Sequence, residues 1–522
     1  MQQRVQSDSG FPKLVTNKLF IAPPAPSLST AERLRALSLI LKDSFFSQTL
    51  VTLTTGVFLA GYALQFKAPN AVIGLLCAMP AMAQLLQLFG IYLVDKFRSR
   101  KTVTVVATTI SRCCLLPMAL APLMPSSRLS LTVLAIAFMG HTASGAIATC
   151  AWNSWLKDVV LKEELGSFFA KRLSLCTLIT MLLTVGGGYF LDVWAQVFHG
   201  QQAWGYSILF GVAILAGLLG IPLLQSMPEP ASAQEPSKDS LIKKLVAPFH
   251  NKNFRNLIRF STFWNFAINL AAPFFSVYML TLLGYSMSLV TMLTMVSQLS
   301  TFLSLRTWGK VSDRFSNKAV LLICAPLFLF CILAWTFATM PHTHALTLPL
   351  VICLQVLLGI AIAGVTLANG NIALKLAPDG EATSYLATYT ATGSLAAGTA
   401  PILGGLFVDA FSRQELSLLL KWQAPGNLVN ITTLDFTSWD FFFALAFLLG
   451  LGSISQLKRV RESGQCGRKR QILLELMNDT VRTVSPTVVT NSIGALLACS
   501  GGKLQSALTV LKKTEANPSV PE

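Results

Sequence analysis

Long stretches with almost no charged residue recur along this chain, from about residue 44 to about residue 456. Each is at least about 18 residues long, enough to cross a hydrocarbon core of roughly 30 Å as a helix. Lipid offers no partner to backbone N–H and C=O groups, so each stretch must be helical. We therefore predict an all-α integral membrane protein with twelve transmembrane helices, spans 1 to 12, at about residues 45–65, 71–94, 102–123, 130–152, 173–192, 204–225, 258–282, 286–307, 319–340, 346–370, 384–408 and 438–456.

The twelve spans divide into two sets of six. A polar segment with several prolines, residues 227–256, separates the sets and is typical of a linker. We predict an N-terminal bundle at 43–226 and a C-terminal bundle at 257–456. The flanking segments, 1–42 and 457–522, are predicted to be a cytoplasmic N-terminal segment and a cytoplasmic tail.

Two local patterns occur in the flanking segments. The run from Ser29 to Glu32 either caps a short helix on the membrane surface, extending to Leu41, or matches the capping pattern by chance. A basic stretch after span 12 is expected to contact anionic lipid head groups. It contains Lys458, Arg459, Arg461, Arg468, Lys469 and Arg470.

The net charge of +17 is distributed in a way that argues against nucleic acid as a partner. When the termini are placed on one side of the membrane, that side holds all but five of the 40 lysines and arginines. Lysine and arginine stay cytoplasmic during insertion, so we predict a multi-pass protein of the plasma (inner) membrane with both termini in the cytoplasm. The exceptions are Lys67, Arg128, Arg413 and Lys421 on the opposite side and Arg112 within span 3.

A short motif of acidic and basic residues occurs twice, 218 positions apart. The first copy, from Asp95 to Lys101, follows span 2, and the second, from Gly309 to Lys318, follows span 8. Similar offsets relate Asn153 to Asn371, Lys157 to Lys375, Gly187-Gly188 to Gly404-Gly405, and Asp192 to Asp409. The halves are therefore predicted to be parallel repeats, as in transporters that move one half against the other.

With these residues the chain resembles the major facilitator superfamily of secondary transporters, over about residues 43–456. The loop signature of that family is G-x-x-x-D-(R/K)-x-G-(R/K)-(R/K). Both copies keep its acidic and basic positions: Asp95, Lys96 and Arg100 in the first, Asp313, Arg314 and Lys318 in the second. Of the glycines only Gly309 is kept, and Ile91, Arg98 and Ser316 stand at the other positions. The resemblance implies two pseudo-symmetric six-helix bundles that carry a small solute by alternating access, in a rocker-switch motion.

The resemblance also implies that the two motif loops gate the cytoplasmic side. Asp95 and Asp313 are expected at the N-terminus of a neighbouring helix, where the helix dipole favours a negative charge. Their basic neighbours are expected to pair with acidic groups across the bundle interface. The candidates for that pairing are Asp158, Glu163, Glu164, Asp379 and Glu381.

Polar side chains form stripes at helical spacing on several spans. In the resembled family spans 1, 4, 7 and 10 mainly line the substrate site, with help from spans 2, 5, 8 and 11. The predicted substrate-binding residues are Gln48, Thr52 and Thr55 on span 1, His141 on span 4, Asn265 and Asn269 on span 7, Gln298 on span 8 and Tyr389 on span 11. Structural hydrogen bonds, within one helix or between helices, are the alternative role for these residues.

Two residues raise the question of charge within the bilayer. Arg112 is the one charged residue deep in a span, and with no mid-span carboxylate its partner is a carbonyl oxygen, water or an anionic substrate. His141 either carries a proton or forms a neutral hydrogen bond to a neighbouring helix. A proton as coupling ion has little support, because no Asp or Glu lies at mid-depth in any span.

The sequence thus indicates a secondary active or facilitative transporter, acting as a monomer on a small solute that is neutral or amphipathic rather than multiply charged. A membrane receptor or sensor on the same fold is the alternative, motivated by the tail. No Walker A pattern occurs, and no span carries clustered His, Asp, Glu or Cys. We therefore predict no enzyme activity, no metal and no cofactor.

Overall fold

The computed structural model describes residues 29–97, 99–160, 165–230, 241–339, 346–378, 382–412, 414, 416–424, 427–436 and 438–462. Its N-terminal half contains six spans, of which the first three are interrupted. Span 1 comprises Thr30–Thr54 and Gly56–Gln65, span 2 Asn70–Ala83, Gln84–Leu86 and Gln87–Phe97, span 3 Arg100–Cys114, Leu116–Ala119 and Ala121–Leu123, span 4 Ser127–Val159, span 5 Leu165–Val197, and span 6 Gln202–Ser226.

The C-terminal half repeats this order. Span 7 comprises Lys252–Ala271 and Phe274–Thr281, span 8 Met287–Arg314, span 9 Asn317–Ala334 and Trp335–Ala338, span 10 Thr347–Leu376, span 11 Ala382–Phe411, and span 12 Ser438–Leu457. A further helix, Leu241–His250, lies inside the segment predicted as a linker.

Ten helices in the described part of the chain are long and apolar enough to cross a membrane. The bent pair Asn70–Leu86 and Phe89–Phe97, which meets at 44°, makes eleven. Span 1 makes twelve, because its two helices are separated by a break at Thr55. The predicted membrane domain of twelve helices in two six-helix bundles is confirmed.

Successive spans run in opposite directions, so the molecule has two distinct faces. We call the end that carries the Asp95 and Asp313 loops the motif face, and the other end the opposite face. The two bundles meet mainly along two helix pairs, span 2 with span 11 and span 5 with span 8. The two pairs are equivalent under the repeat, because span 2 corresponds to span 8 and span 5 corresponds to span 11.

A two-stranded antiparallel sheet, which the sequence analysis did not predict, lies between spans 11 and 12 at the opposite face. Strand β1, Leu416–Ala424, pairs with strand β2, Asn427–Phe436, with a register shift at Leu418 and Leu419. The sequence carried a usable signal. Pro425-Gly426 separates a mainly apolar run from a run rich in β-branched residues, a pattern typical of a hairpin.

Residues 30–44, which precede the predicted start of span 1, do not form a separate surface helix. The capping box is present, since the Ser29 hydroxyl and the Glu32 carboxylate each bond to the backbone N–H of the other residue. The helix that it starts continues without interruption to Thr54. Ala36 and Ile40 are fully buried in an apolar cluster with residues of spans 3 to 6. This segment is therefore a rigid extension of span 1.

Arg112 has a partner that the sequence analysis overlooked. Its guanidinium lies 3.6 Å from the carboxylate of Asp43, and both side chains are buried. It also donates to the hydroxyl of Ser47 at 2.8 Å and to the carbonyl of Gly217 in span 6. Asp43 precedes the predicted start of span 1, but the longer helix carries it into the bundle. The contacts give Arg112 a structural role within the N-terminal bundle.

We expect Arg112→Gln to be destabilising, because it leaves the buried Asp43 carboxylate without this cation. Breaking a buried pair from one side costs about 3–5 kcal/mol. The double variant Asp43→Asn/Arg112→Gln should recover much of that loss. Thermal unfolding of the detergent-purified protein measures both effects. An Arg112→Gln protein as stable as the unmodified chain would contradict the assignment.

Candidate functional site

A cavity of about 1340 Å³ lies between the two bundles. Its walls come mainly from spans 1, 2 and 5 on one side and spans 7, 8 and 10 on the other. Three of the eight residues predicted to bind substrate line it: Gln48, Thr55 and Gln298. The other five lie elsewhere in the structure.

Two of the helices that frame the cavity are broken at equivalent points. Span 1 is interrupted at Thr55, and Gly56 has a φ of +59°, a conformation that favours glycine. Span 7 is interrupted between Ala271 and Phe274, where Pro273 has no N–H to donate. Thr55 and Pro273 are separated by the repeat offset, and both line the cavity. Interrupted helices in matching positions of two repeats are typical of transporter binding sites.

Gln48 is held in place by a hydrogen-bonded cluster. Its amide donates to the hydroxyl of Thr180 in span 5 at 2.8 Å and contacts Thr52 at 3.4 Å. The hydroxyls of Thr52 and Thr180 lie 3.2 Å apart. Thr52 is buried and does not line the cavity, so its place is behind Gln48. Gln48 itself lines the cavity.

The remaining four predicted residues make structural contacts in this conformation. Asn265 donates to Ser261 one turn earlier, and Asn269 donates to the carbonyl of Asn265. His141 and Ser111 of span 3 lie 2.8 Å apart through Nδ1 and the hydroxyl, which joins spans 3 and 4. Tyr389 is buried and packs edge-on against Phe254 of span 7.

Several cavity residues were not predicted. Span 5 presents Ser174, Thr177 and Thr180 at intervals of three, a stripe that the search for polar faces could have found. Gln355 is a single amide in the otherwise apolar middle of span 10. Arg306 of span 8 is the one charged residue among those that line the cavity in the described part of the chain. Most of the other lining residues are apolar.

The opposite face is closed by two carboxylates that bind helix N-termini across the bundle interface. Asp192, at the end of span 5, accepts hydrogen bonds from the backbone N–H groups of Met287 and Ser288 in span 8, at 3.0 and 2.9 Å. A helix N-terminus has unpaired N–H groups and a partial positive charge. Hydrogen bonding and electrostatic attraction therefore both favour a carboxylate there.

A second carboxylate contact, related to the first by the repeat, lies at the same face. Asp409, at the end of span 11, accepts hydrogen bonds from the backbone N–H groups of Asn70 and Ala71 in span 2, at 3.0 and 2.8 Å, and from the Asn70 amide at 2.9 Å. Asp192 and Asp409 are the aspartates that ended the repeated Gly-Gly pattern. We call the two contacts the span 5–8 latch and the span 2–11 latch.

Glycines next to each latch let the helices approach closely. A Cβ at Gly188 would lie against Thr291 and within 3.1 Å of the Met287 carbonyl oxygen in span 8. A Cβ at Gly405 would lie against the backbone of Asn70 in span 2. The repeated Gly-Gly-x-x-x-Asp pattern therefore joins the two bundles at this face: glycine permits close contact and aspartate holds it.

At the motif face, by contrast, helix caps are made within each bundle. Glu229, after span 6, is buried and accepts hydrogen bonds from the backbone N–H groups of Arg100 and Lys101 at 2.6 and 3.2 Å, and from the Ser99 hydroxyl at 2.8 Å. It caps the first turn of span 3. The Arg100 guanidinium donates to the carbonyl of Ser154 in span 4 at 3.1 Å.

The C-terminal bundle repeats this arrangement with Glu462, after span 12. Its carboxylate accepts from the backbone N–H of Lys318 at 2.7 Å, from the Asn317 amide at 2.9 Å and from the Lys375 ammonium at 3.2 Å. Burial raises the pKa of the Glu462 carboxyl, but the hydrogen bonds from Lys318, Asn317 and Lys375 outweigh burial and hold the pKa below its ordinary value. Glu462 therefore stays anionic and bound to these partners at neutral pH.

The signature aspartates themselves are exposed, and neither occupies the N-terminus of span 3 or span 9. Asp95 and Asp313 end spans 2 and 8, next to Lys96 and Arg314. Gly309 faces span 10 near Leu367. Among the proposed acidic partners, Glu163, Glu164, Asp379 and Glu381 lie outside the described residues, as does the side chain of Asp158.

Comparison with known families agrees with this geometry. The model of the Major Facilitator Superfamily matches residues 44–353 and 257–457, which together cover most of the chain. The chain belongs to the Major Facilitator Superfamily. No curated protein matches it at a significant level of sequence similarity.

Solved structures of superfamily transporters share the fold. A mutant form of the nucleoside transporter NupG superposes with a TM-score of 0.62 at 15% identity, covering 81% of this chain and 100% of that one. A D-xylose–proton symporter gives 0.60 at 13%, covering 83% and 99%. The inward-open xylose transporter XylE from E. coli gives 0.59 at 14%, covering 84% and 99%. At such identities the likeness establishes the fold alone.

The two latches predict how this superfamily member responds to loss of charge at the opposite face. A carboxylate at a partly buried helix N-terminus contributes about 1–2 kcal/mol. We expect Asp192→Asn and Asp409→Asn each to raise the population open at the opposite face about 5- to 30-fold. Spin labels at positions 67 and 282 report the separation of the bundles there. Glu32→Gln, which alters an exposed carboxylate at the motif face, is the control. Unchanged distances in both variants would rule out the latch role.

Proposed function

We propose that this protein is a secondary active or facilitative transporter of a small amphipathic solute, working by alternating access. The observation that carries the proposal is the cavity between two repeated bundles, closed at one face by the two latches. Each latch joins one bundle to the other, whereas the caps made by Glu229 and Glu462 stay within a bundle. Rocking the bundles would therefore break the latches and preserve the caps.

The motif face is proposed to be cytoplasmic, in the plasma (inner) membrane, because the lysines and arginines concentrate there. The conformation with closed latches is then inward-facing. In the outward-facing state the motif loops close the cytoplasmic side, with the gating residues Asp95, Lys96, Arg100, Gly309, Asp313, Arg314 and Lys318.

The lining of the cavity favours a solute with an apolar body and few polar groups. Gln48, Gln298 and Gln355 supply amides, and Arg306 supplies one cation, among mostly apolar neighbours. A multiply charged solute would lose its hydration without enough partners to replace it. A solute that is neutral, or that carries a single negative charge placed against Arg306, fits this wall best.

The source of energy is an ion gradient or the solute's own gradient. No carboxylate lines the cavity in the described part of the chain, so a carboxylate within the cavity is not available there as a proton carrier. One solved structure with the same fold is named as a proton symporter, which keeps proton coupling among the alternatives. Flux with and without an imposed proton gradient separates coupled from facilitative transport.

The transport proposal is tested by a solute screen followed by flux. A bound solute raises the thermal stability of the purified protein, and solutes that stabilise it are then carried into proteoliposomes. We expect Gln298→Ala to weaken the best solute about tenfold, since a truncated amide leaves the bound polar group unpaired. Asn265→Ala is the control, because Asn265 bonds to its own helix. A protein that never gives flux but signals through the tail would instead favour the sensor alternative.

Arg306 makes a sharper prediction about charge. Pairs of solutes with one apolar body, bearing either a carboxylate or its neutral amide, should be compared by thermal shift. We expect Arg306→Gln to weaken the carboxylate about tenfold or more and to leave the amide nearly unchanged, because a charge-assisted hydrogen bond is lost in one case only. If the Arg306→Gln variant treats both solutes as the unmodified protein does, the proposed solute class is wrong.

A further inference from the structure

A second cavity, separate from the one between the bundles, lies within the C-terminal bundle at the motif face. Its volume is about 980 Å³. The start of span 7, the start of span 9 and the segment 458–462 after span 12 form its walls. We call it the basic cleft, because seven cationic residues line it: Lys252, Arg255, Arg259, Lys318, Lys458, Arg459 and Arg461. None of them lines the cavity between the bundles.

The backbone around the basic cleft is fixed by amide side chains. Asn253 donates to the carbonyl of Arg461 at 2.7 Å and accepts from its N–H at 2.8 Å. Asn256 donates to the carbonyl of Arg459 at 3.3 Å. Segment 458–462 is thus tied to span 7 without use of its own basic side chains. These hydrogen bonds fix one wall of the cleft.

The charges in the basic cleft are not balanced by the described residues. Glu462 is its one carboxylate, and Asn317, Lys318 and Lys375 occupy its oxygens. Lys318 donates its ammonium to the carbonyl of Val460 at 2.6 Å. In the described part of the chain no carboxylate pairs with the other six cations of the cleft.

Span 7 supplies three of the seven cations. Lys252, Arg255 and Arg259 recur at intervals of three and four on this 20-residue helix, so they lie on neighbouring positions of one face. The Nε of Arg255 is buried and has no hydrogen-bond partner among the described residues. Like charges gathered in a cleft repel one another, and the N-terminal end of a helix adds positive potential. An anion in the cleft would relieve both effects.

We propose that the basic cleft binds an anion that carries two or more phosphate groups. One phosphate would leave most of this volume and most of these cations unused. Arginine forks match phosphate oxygens in pairs, which favours phosphate over simple halide or nitrate anions. The ligand is either a free polyphosphate or the head group of a phosphorylated lipid, because the cleft lies at the end of the membrane spans. Topology alone would account for basic residues on this face but not for their convergence on one fixed cleft.

The experiment uses the full-length purified protein and two sources of phosphate. Thermal unfolding is followed against inorganic triphosphate in detergent, and binding is followed on vesicles with and without a phosphorylated inositol lipid. We expect saturable binding in at least one arm, weakening as salt rises, and about tenfold weaker in Arg255→Gln/Arg259→Gln. Binding to triphosphate identifies a soluble ligand, and binding to the lipid vesicles alone identifies a head group.

The control removes two charges from the same face outside the cleft. Arg35 and Lys42 are exposed on the first helix, so Arg35→Gln/Lys42→Gln matches the change in charge. Equal binding by both double variants would overturn the proposal, as would no binding in either arm. If Arg255→Gln/Arg259→Gln fails to fold, Lys458→Gln/Arg459→Gln serves in its place, since the segment is held there by backbone groups.

Discussion

Four helices of this protein begin on a carboxylate from a distant part of the chain. Asp192 and Asp409 cap spans 8 and 2, and Glu229 and Glu462 cap spans 3 and 9. A helix that starts near or within a membrane has N–H groups that lipid cannot satisfy, and a carboxylate satisfies two of them while meeting the positive end of the helix dipole. The structure applies this one interaction at both faces.

The partners of these caps differ between the two faces, and that difference organises the molecule. At the opposite face each carboxylate belongs to the other bundle, so the contact depends on the relative position of the bundles. At the motif face each carboxylate belongs to the same bundle, so the contact fixes the end of span 6 to span 3, or of span 12 to span 9. Under the proposed alternating access, the caps of the motif face keep each bundle rigid and the latches of the opposite face let that face open and close.

The sequence predicts the two repeats, but it does not predict which way individual side chains point. Twelve apolar stretches and a constant offset predict two parallel bundles, because length and hydropathy are enough to specify a membrane helix. Periodicity gives the face of a helix without telling whether a cavity or a neighbour lies there. Gln48 and Gln298 line the cavity, whereas Asn265 and Asn269 bond to span 7 itself. Asp43 lies before the apolar run, in a part of the helix that hydropathy does not predict.

The repeat offset relates two pairs of residues in the candidate site. Thr55 and Pro273 occupy matching positions. Gly56 follows Thr55, and glycine and proline are both residues that interrupt helices. Asp192 and Asp409 were recognised as a repeat, but their role required knowing which helices begin opposite them. A pattern in one chain identifies an equivalent pair, whereas a contact between halves depends on how the halves pack.

The two cavities place opposite demands on their ligands, and this separates their roles. The cavity between the bundles has one cation among apolar groups, so strong binding of a charged solute there would have to overcome the cost of dehydration. That balance suits a solute that must be released after each crossing. The basic cleft lies within one bundle and concentrates seven cations, so its ligand needs no pathway through the membrane and gains from every phosphate it carries. A ligand held there would tie span 7 to span 9 and to the end of span 12, and so would stiffen the bundle that carries half of each latch.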